Sequence, residues 1–430
     1  MDARQLIALG VLIYLVLSLI LRSRRPKTPV WALMALASSL VVVGGLVEVD
    51  ELGSTIDLDV ILFLIGMFSL VSLAESSGLL AAISLSLISR FRRRSHLLYA
   101  ASLLFGVLSA LAVNDTVALM GPPIAYVISR ATSIDPKALF LLLAFSVTIG
   151  SAMTPIGNPQ NVLIAVESGI EAPFLTFVKV LALPTLANLI LTAYIIKRVY
   201  RVSDAPVELT ALPQEAISSR RDALLAGAGL AAVITALVMN DLLELSGLPH
   251  VTSRGLIPFV IAAGLYVFST NPRGLLKSVD WGTVIFFITM FITMDGIWRS
   301  GVLQPLLLYM VPTRLEGIRN VVAITATSVI LSQALSNVPF VKLFIHYMQS
   351  LGYDSSNTIS WITLAMSSTI AGNLTLLGAA SNIIILEALE TRLHYTISFK
   401  EFTKVGSVVT LANLLVYSAY LTLLHLLPVA

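Results

Sequence analysis

An interrupted apolar segment that occurs twice constrains this chain more than any other feature. The first copy, Gly150–Ile164, reads GSAMTPIGNPQNVLI, and its prolines and glycines cannot remain in a regular helix. The second copy, Ala371–Ile385, reads AGNLTLLGAASNIII and begins 221 residues later. The matched positions are Thr154 with Thr375, Gly157 with Gly378, Asn161 with Asn382 and Ile164 with Ile385. In a bilayer the backbone groups freed by such breaks must bind protein, water or a ligand. A broken segment in each half is typical of the binding site of a secondary transporter.

The composition sets the environment of these breaks. Hydrophobic residues make up 57% of the chain, charged residues only 12%, and the mean hydropathy is +0.91. Soluble proteins carry about 25% charged residues. We therefore predict an all-α polytopic membrane protein embedded in a lipid bilayer.

Several function classes are excluded or weakened by what the sequence lacks. The chain has no cysteine, its five histidines show no metal-ligand spacing, and no phosphate-binding glycine loop is present. We predict no cofactor, no metal beyond a coupling Na⁺, no nucleic-acid partner and no enzyme activity. An intramembrane enzyme is a distant alternative, because it would need a nucleophile–base pair or a metal cluster. Nothing in the sequence supports a cytoplasmic ATPase partner.

The repeat extends beyond the broken segments: at an offset of 223 residues, Asp57, Ser109 and Asn114 match Asp280, Ser332 and Asn337. Each half has five predicted crossings, one re-entrant hairpin and one broken helix. Since five is odd, the second half must be inverted relative to the first. The predicted parts are a first inverted repeat (1–201, hairpin 97–130, broken helix 138–168), a cytoplasmic linker (202–222) and a second inverted repeat (223–430, hairpin 319–350, broken helix 357–390).

Loop charges orient this arrangement. With the N-terminus outside, the basic clusters Arg22–Lys27 and Arg90–Arg94 fall on the cytoplasmic side, as do most of the 27 Lys and Arg residues. The positive-inside rule therefore predicts a multi-pass protein of the plasma (inner) membrane with both termini outside.

The hairpin tips and the helix breaks form the candidate site. Half-helix N-termini suit an anion, whereas unwound carbonyls and amide oxygens suit a small cation. The candidate substrate-binding residues are Asn114, Asp115, Thr116, Asn158, Pro159, Ser336, Asn337, Ala379 and Ala380. The alternative is that the asparagines only cap half-helices and that the glycines and prolines only kink them.

Charged residues near the hairpins add two expectations. Asp115 is a carboxyl group inside the membrane, where burial favours the protonated form, so it is the candidate proton carrier. Alternatively it is permanently paired within its hairpin. Lys342 and His346 lie one helical turn apart, and we expect them to face water near the outer entrance rather than to pair with Asp295. Glu167 is expected at the membrane interface.

The motifs VNDTVALMGPP, TPIGNPQN, LSNVP and GNLTLLGAASN resemble those of the ion transporter superfamily, which includes arsenite permeases, divalent anion–sodium symporters and citrate transporters. The resemblance covers nearly the whole chain. It implies paired inverted repeats, elevator-type alternating access and a homodimer.

The same resemblance suggests ion-binding residues. In the sodium-coupled branch, a cation is held by a hairpin serine, the tip asparagine and a glycine of the broken helix. The matching sets are Ser109, Asn114 and Gly157 in the first half and Ser332, Asn337 and Gly378 in the second, with Thr154, Asn161, Thr375 and Asn382 in support.

The tips depart from that branch, which carries Ser-Asn-Thr at both of them. Here the first tip reads Val113-Asn114-Asp115 and the second Ser336-Asn337-Val338. An Asn-Asp tip is more similar to the arsenite permease branch. We therefore predict a transporter of a small anion or oxyanion, coupled to H⁺ or Na⁺, with an arsenite-permease-like function leading. A sodium-coupled dicarboxylate or citrate symporter and a sodium/proton antiporter are the alternatives.

Overall fold

The computed structural model describes residues 2–22, 29–206, 217–311, 313–315 and 317–426. These residues are mainly helical, and their β pairing is limited to one bridge between Arg93 and Pro206. The helices are α1 (Ala3–Arg22), α2 (Val30–Val43), α3 (Leu52–Thr55), α4 (Leu58–Ser76), α5 (Leu79–Ile88), α6 (Arg94–Ala112), α7 (Asn114–Thr132), α8 (Pro136–Ser151), α9 (Pro159–Glu167), α10 (Pro173–Val199), α11 (Arg220–Leu245), α12 (Leu256–Phe268), α13 (Pro272–Ser278), α14 (Trp281–Ser300), α15 (Gln304–Met310), α16 (Gly317–Leu335), α17 (Asn337–Ser350), α18 (Thr358–Ala371), α19 (Ala380–Leu393) and α20 (Phe399–Leu426).

Many of these helices can cross a membrane by length and composition. Among the described residues, α4, α6, α10, α11, α14, α16 and α20 pass that test, and α1, α2, α8, α12 and α18 are shorter apolar helices. The prediction of an all-α polytopic membrane protein is confirmed.

Two aspartates at equivalent positions fix the starts of α4 and α14. Asp57 Oδ1 accepts hydrogen bonds from the backbone N–H groups of Asp59 and Val60, at 2.9 and 3.1 Å. Asp280 Oδ1 accepts one from Thr283 N–H at 3.0 Å. Each aspartate is an N-cap that satisfies amides at the helix end. The residues that match across the repeat therefore do the same structural work in both halves.

Each hairpin turns on a single residue. Val113 separates α6 from α7, and Ser336 separates α16 from α17. Their φ angles are +61° and +70°, in a region that non-glycine residues rarely adopt. Such strain persists only where the surrounding structure holds it, and it occurs preferentially at functional sites.

The two halves are interleaved through their hairpins and broken helices. The return arm α7 packs against α19 of the second half, and α17 packs against α9 of the first. Two further contacts join the halves: α4 packs against α12, and α2 packs against α14. Helix α8 is buried along almost its whole length. The two breaks therefore lie in the interior, next to the opposite hairpins.

The connection between the halves is only partly described. Residues 207–216 of the predicted linker lie outside the described residues, as do Arg24, Arg25 and Lys27 of the first basic cluster. Helix α11 begins at Arg220 and is capped by Ser219, whose side chain accepts from Asp222 N–H. The last three residues of the predicted linker are therefore helical.

Candidate functional site

An equivalent asparagine forms hydrogen bonds across the break in each half. In the first half, Asn161 Nδ2 donates to the carbonyls of Ser151 (3.1 Å) and Thr154 (3.0 Å). In the second half, Asn382 Nδ2 donates to the carbonyls of Gly372 (2.8 Å) and Thr375 (3.4 Å). All four carbonyls lie where the helix has ended and its own amides no longer reach them. The freed backbone carbonyls therefore have an asparagine side chain as their partner in both halves.

A glycine in each break permits the chain to fold back on itself. A Cβ atom on Gly157 would lie 2.2 Å from the Ser151 carbonyl oxygen, and one on Gly378 would lie 2.7 Å from the Gly372 carbonyl oxygen. Both contacts are shorter than real Cβ atoms make, so glycine is required at both positions.

In the first half, the candidate oxygen atoms have partners within the protein. Ser109 Oγ donates to the Val147 carbonyl at 2.7 Å, and Asn114 Oδ1 accepts from Asp115 N–H at 2.9 Å. Asn161 Oδ1 accepts a longer bond, of 3.4 Å, from the Thr369 hydroxyl. The oxygens of the first set are therefore closed, in that each already has a hydrogen-bond partner in the protein.

In the second half, the equivalent atoms are open. Ser332 Oγ, Asn337 Oδ1 and Asn382 Oδ1 are buried and have no hydrogen-bond partner among the described residues. A Cβ on Gly372 would lie 3.3 Å from Asn337 Nδ2, so Asn337 lies beside the carbonyl to which Asn382 donates. Buried oxygens without donors are suited to a hard cation, which binds oxygen ligands.

The remaining predicted substrate residues are distributed unevenly. Asn158 is fully buried, and its Nδ2 donates to Ser151 O and to Thr369 Oγ1, both at 3.1 Å. Its Oδ1 caps α9 by accepting from Asn161 N–H at 2.9 Å, as the capping alternative expects. Pro159 is also buried, Asp115, Thr116, Ser336 and Ala379 are half-buried, and Ala380 is exposed. The structure therefore places the tip residue Asn337 beside the second break, whereas the side chain of Asn158 already has partners within the protein.

Sequence reasoning missed two residues that bridge these elements. Gln333 Nε2 donates to the Ala371 carbonyl at 2.9 Å, and Gln333 Oε1 accepts from the Thr375 hydroxyl at 2.8 Å. Thr369 of α18 contacts Asn158 of the first half. The available signal was a polar side chain within an apolar arm, next to the candidate Ser332.

The expectation for Lys342 is wrong, because this residue is buried in an ion pair. Its Nζ lies 2.7 Å from Glu167 Oε1, and the two side chains are 8% and 11% exposed. The Lys342 ammonium also lies 5.0 Å from the centre of the Phe291 ring. Glu167 is likewise enclosed by protein, and its expected position at the membrane interface stays a prediction. Two buried opposite charges are more favourable together than either alone, which explains why the pair forms.

The neighbouring groups have other partners. His346 stacks on Trp298 with ring centres 5.8 Å apart, and Asp295 pairs with Arg299 at 2.7 Å. Within the described parts of the chain, no group of three or more His, Cys, Asp or Glu residues could hold a metal ion.

Comparison with known proteins identifies relatives among transporters. An uncharacterized transporter of Mycobacterium tuberculosis is 29% identical over 390 residues, which cover 86% of this chain and 88% of the relative. A silicon efflux transporter of Oryza sativa subsp. japonica is 27% identical, covering 85% of this chain and 86% of the relative.

A solved structure and a family model support the same assignment. The YdaH transporter of Alcanivorax borkumensis aligns with a TM-score of 0.59 and 16% identity, over 88% of this chain and 89% of that one, which shows a shared fold. The citrate transporter family CitMHS matches residues 12–371. This match spans the first half and most of the second, including both hairpins and the first break, and the chain therefore belongs to the citrate transporter family.

Proposed function

We propose that the protein is a secondary active transporter of a small anion, with a hydroxylated oxyanion as the leading substrate, coupled to a cation bound in the second half. One observation carries the proposal. Ser332 Oγ, Asn337 Oδ1 and Asn382 Oδ1 are buried oxygens without a donor, beside a helix break. A polar atom left in this state costs about 1–3 kcal/mol, which a bound cation would offset.

The anion would bind where half-helices begin. Helices α7, α17 and α19 start without a hydrogen bond from an N-cap side chain, whereas Asn158 already caps α9. Free amides and the positive dipole end of a helix favour negative charge. An anion at these ends would lie beside the proposed cation and reduce the cost of burying both charges.

Proton coupling is proposed for the first half. Asp115 is half-buried at the first tip, and no ion pair involves it among the described residues. Its counterpart in the second half is Val338, which cannot carry a proton. A carboxyl group inside a membrane protein without a permanent partner is a functional candidate by default.

The substrate class rests on two relationships. The silicon efflux transporter of rice favours a hydroxylated oxyacid, the class that also contains arsenite. The family's description favours citrate as the second candidate. Elevator motion, a homodimer and a plasma-membrane location with both termini outside belong to the same proposal.

Currents from proteoliposomes on a solid-supported membrane would test this function. Arsenite, silicic acid, citrate, succinate and sulfate would be stepped one at a time, with and without Na⁺ and at two pH values. We expect a current with arsenite or silicic acid that depends on Na⁺ or on pH. Asn337→Ala protein, reconstituted at equal density, is the control and should give no current. A current with citrate alone would select the second candidate, and the absence of any substrate-dependent current would contradict the proposal.

A further inference from the structure

One face of α10 is apolar and exposed over several helical turns. Leu183, Leu186, Ile190 and Tyr194 lie on it at helical spacings of three and four, and they are between 36% and 64% exposed. The opposite face of the helix, which includes Asn188, is buried. We call the exposed face the α10 stripe. From Leu183 to Tyr194 it is about 16 Å long, which is close to half of the ~30 Å hydrocarbon thickness of a bilayer. The stripe therefore has the length of one leaflet.

An arginine stands at one end of the α10 stripe. Arg198 follows Tyr194 by one helical turn, and its guanidinium carbon lies 5.2 Å from the centre of the Tyr194 ring. The Arg198 Nε also donates to the Tyr194 hydroxyl at 3.1 Å. Tyrosine is enriched at the interface between membrane and water, where its ring lies at the level of the lipid headgroups. The contact therefore holds the Arg198 guanidinium at headgroup depth.

Basic residues from a second segment lie beside this end of α10. A β bridge joins Arg93 to Pro206, and the Arg94 backbone N–H donates to the Ala205 carbonyl at 3.0 Å. These contacts hold the start of α6 next to the residues that follow α10, and α6 also packs against α10. We call the basic side chains of the two segments the basic patch: Arg90, Arg92, Arg93, Arg94, Lys197, Arg198 and Arg201.

The basic patch keeps most of its positive charge. Asp204 is the one acidic residue in the ranges 90–94 and 197–206, and its carboxylate pairs with Arg93 at 3.2 Å. Three exposed members form no ion pair with any described residue: Arg90, Arg92 and Arg201. The next segment, 207–216, contains two glutamates, which are too few to neutralise seven cations. The basic patch therefore favours an anion from outside the chain.

The second half has an exposed apolar helix without such a patch. Helix α20 follows the second broken helix as α10 follows the first, and its Leu411 and Leu415 are exposed. Residues 405–430 nevertheless contain no Lys or Arg. The positive-inside rule explains on which side of a membrane cations lie, but it does not require them to continue a lipid-facing stripe. The combination of stripe and cations is therefore a specific feature of α10.

We propose that the α10 stripe and the basic patch together bind an anionic phospholipid. An acyl chain would lie along Leu183, Leu186 and Ile190, and the phosphate would accept charge-assisted hydrogen bonds from Arg198 and its basic neighbours. Basic pockets between membrane helices bind anionic headgroups in this way. A zwitterionic phospholipid would bind less tightly, because its own ammonium group lies near the cations. This site goes beyond the proposed transport function and does not depend on it.

Native mass spectrometry of the full-length protein in detergent would test the lipid site. The protein is titrated with phosphatidylglycerol, which is anionic, or with phosphatidylethanolamine of the same acyl chains, which is zwitterionic. We expect one phosphatidylglycerol molecule to bind about tenfold more tightly than phosphatidylethanolamine. Arg198→Gln combined with Arg201→Gln should weaken phosphatidylglycerol binding about 25-fold, since each basic residue contributes about fivefold.

A matched control removes the same charge elsewhere. Arg273→Gln combined with Lys277→Gln changes two exposed residues of α13, which packs against α4 and α12. This variant should keep the wild-type affinity for phosphatidylglycerol. An equal loss in both double variants would reveal general charge attraction and would overturn the proposal, as would equal affinities of the wild-type protein for the two lipids.

Two further measurements keep the proposal open to refutation. If the double variant at Arg198 and Arg201 does not fold, hydrogen–deuterium exchange of the unmodified protein in nanodiscs decides the question. The amides of residues 199–205 should exchange more slowly with phosphatidylglycerol than with phosphatidylcholine, and equal exchange would contradict the site. The chain has no cysteine, so Ile190→Cys introduces a single thiol on the stripe. We expect no disulfide between copies, and rapid cross-linking would assign the stripe to a protein interface instead.

Discussion

In the first half of the protein, α6 and α8 meet at Gly106 and Gly150, where a Cβ on Gly150 would lie 2.0 Å from the Gly106 carbonyl oxygen. In the second half, Val329 and Ala371 occupy the matching positions of α16 and α18. The two halves otherwise share their hairpins, their breaks and the aspartate caps of α4 and α14. The first half has bonded its candidate oxygens, and the second half has left them open. The two halves of an internal repeat can therefore differ in whether the same oxygens bind the protein or are left for a ligand.

The largest expected effect concerns an ion pair that occurs on only one side of this repeat. Lys342 bonds Glu167, but the counterparts of these residues are Leu119 and Ala388, which carry no charge. Lys342→Met should lower the free energy of unfolding by about 3–5 kcal/mol, because it leaves Glu167 as an unpaired buried charge. The unfolding midpoint in detergent, followed by the fluorescence of the four tryptophans, measures this.

The double variant Lys342→Met with Glu167→Gln should recover most of that loss, since no charge remains unpaired. Leu119→Met is the matched control in the first half and should change the midpoint little. Single variants that are as stable as this control would show that the pair contributes nothing to the difference between the halves.

The second largest effect should come from adding a methyl group where α6 and α8 meet. Gly150→Ala would place a Cβ 2.0 Å from the Gly106 carbonyl oxygen, so we expect a loss of about 1–3 kcal/mol through overpacking. The reverse change at the matching position of the second half, Ala371→Gly, should cost only about 0.5–1 kcal/mol, from backbone entropy. Both are read from denaturant unfolding, and equal losses would contradict a tight contact at Gly150.

The open oxygens should matter more for cation binding than the closed ones. Ser332→Ala removes a proposed ligand and should raise the KM for the coupling cation about tenfold, which corresponds to ~1.4 kcal/mol. Ser109→Ala is its matched control, because Ser109 already bonds the Val147 carbonyl. Transport measured against cation concentration separates them, and an equal rise in KM in both variants would mean that both halves bind the cation.

The smallest expected effect is at the first hairpin tip. Asp115→Asn should flatten the dependence of transport on pH between about 5.5 and 8, since a carboxamide does not exchange a proton in this range. Val338→Asn introduces the same amide at the second tip and should leave the pH dependence unchanged. A wild-type pH profile in Asp115→Asn protein would remove this residue from the coupling mechanism.

Much of the fold followed from local patterns in the sequence. The lengths of the apolar segments predicted the membrane-crossing helices. The polar residues that interrupt two of these segments predicted the hairpin tips, which turn at Val113 and Ser336. The offsets of the repeat also matched Asp57 with Asp280, which turned out to be equivalent N-caps. These features are predictable because helix length, helix breaking and capping depend on residues within a few positions of one another.

The sequence by itself determined that this chain is a helical membrane protein, that two of its helices are interrupted and that the two interruptions match at equivalent positions. Only the tertiary structure decided that Lys342 meets Glu167 and that Ser332 has no partner while Ser109 has one. The first depends on two residues 175 positions apart. The second depends on where the neighbouring helix places its oxygens, and a hydrogen bond is lost when its atoms separate by less than 1 Å beyond their optimum.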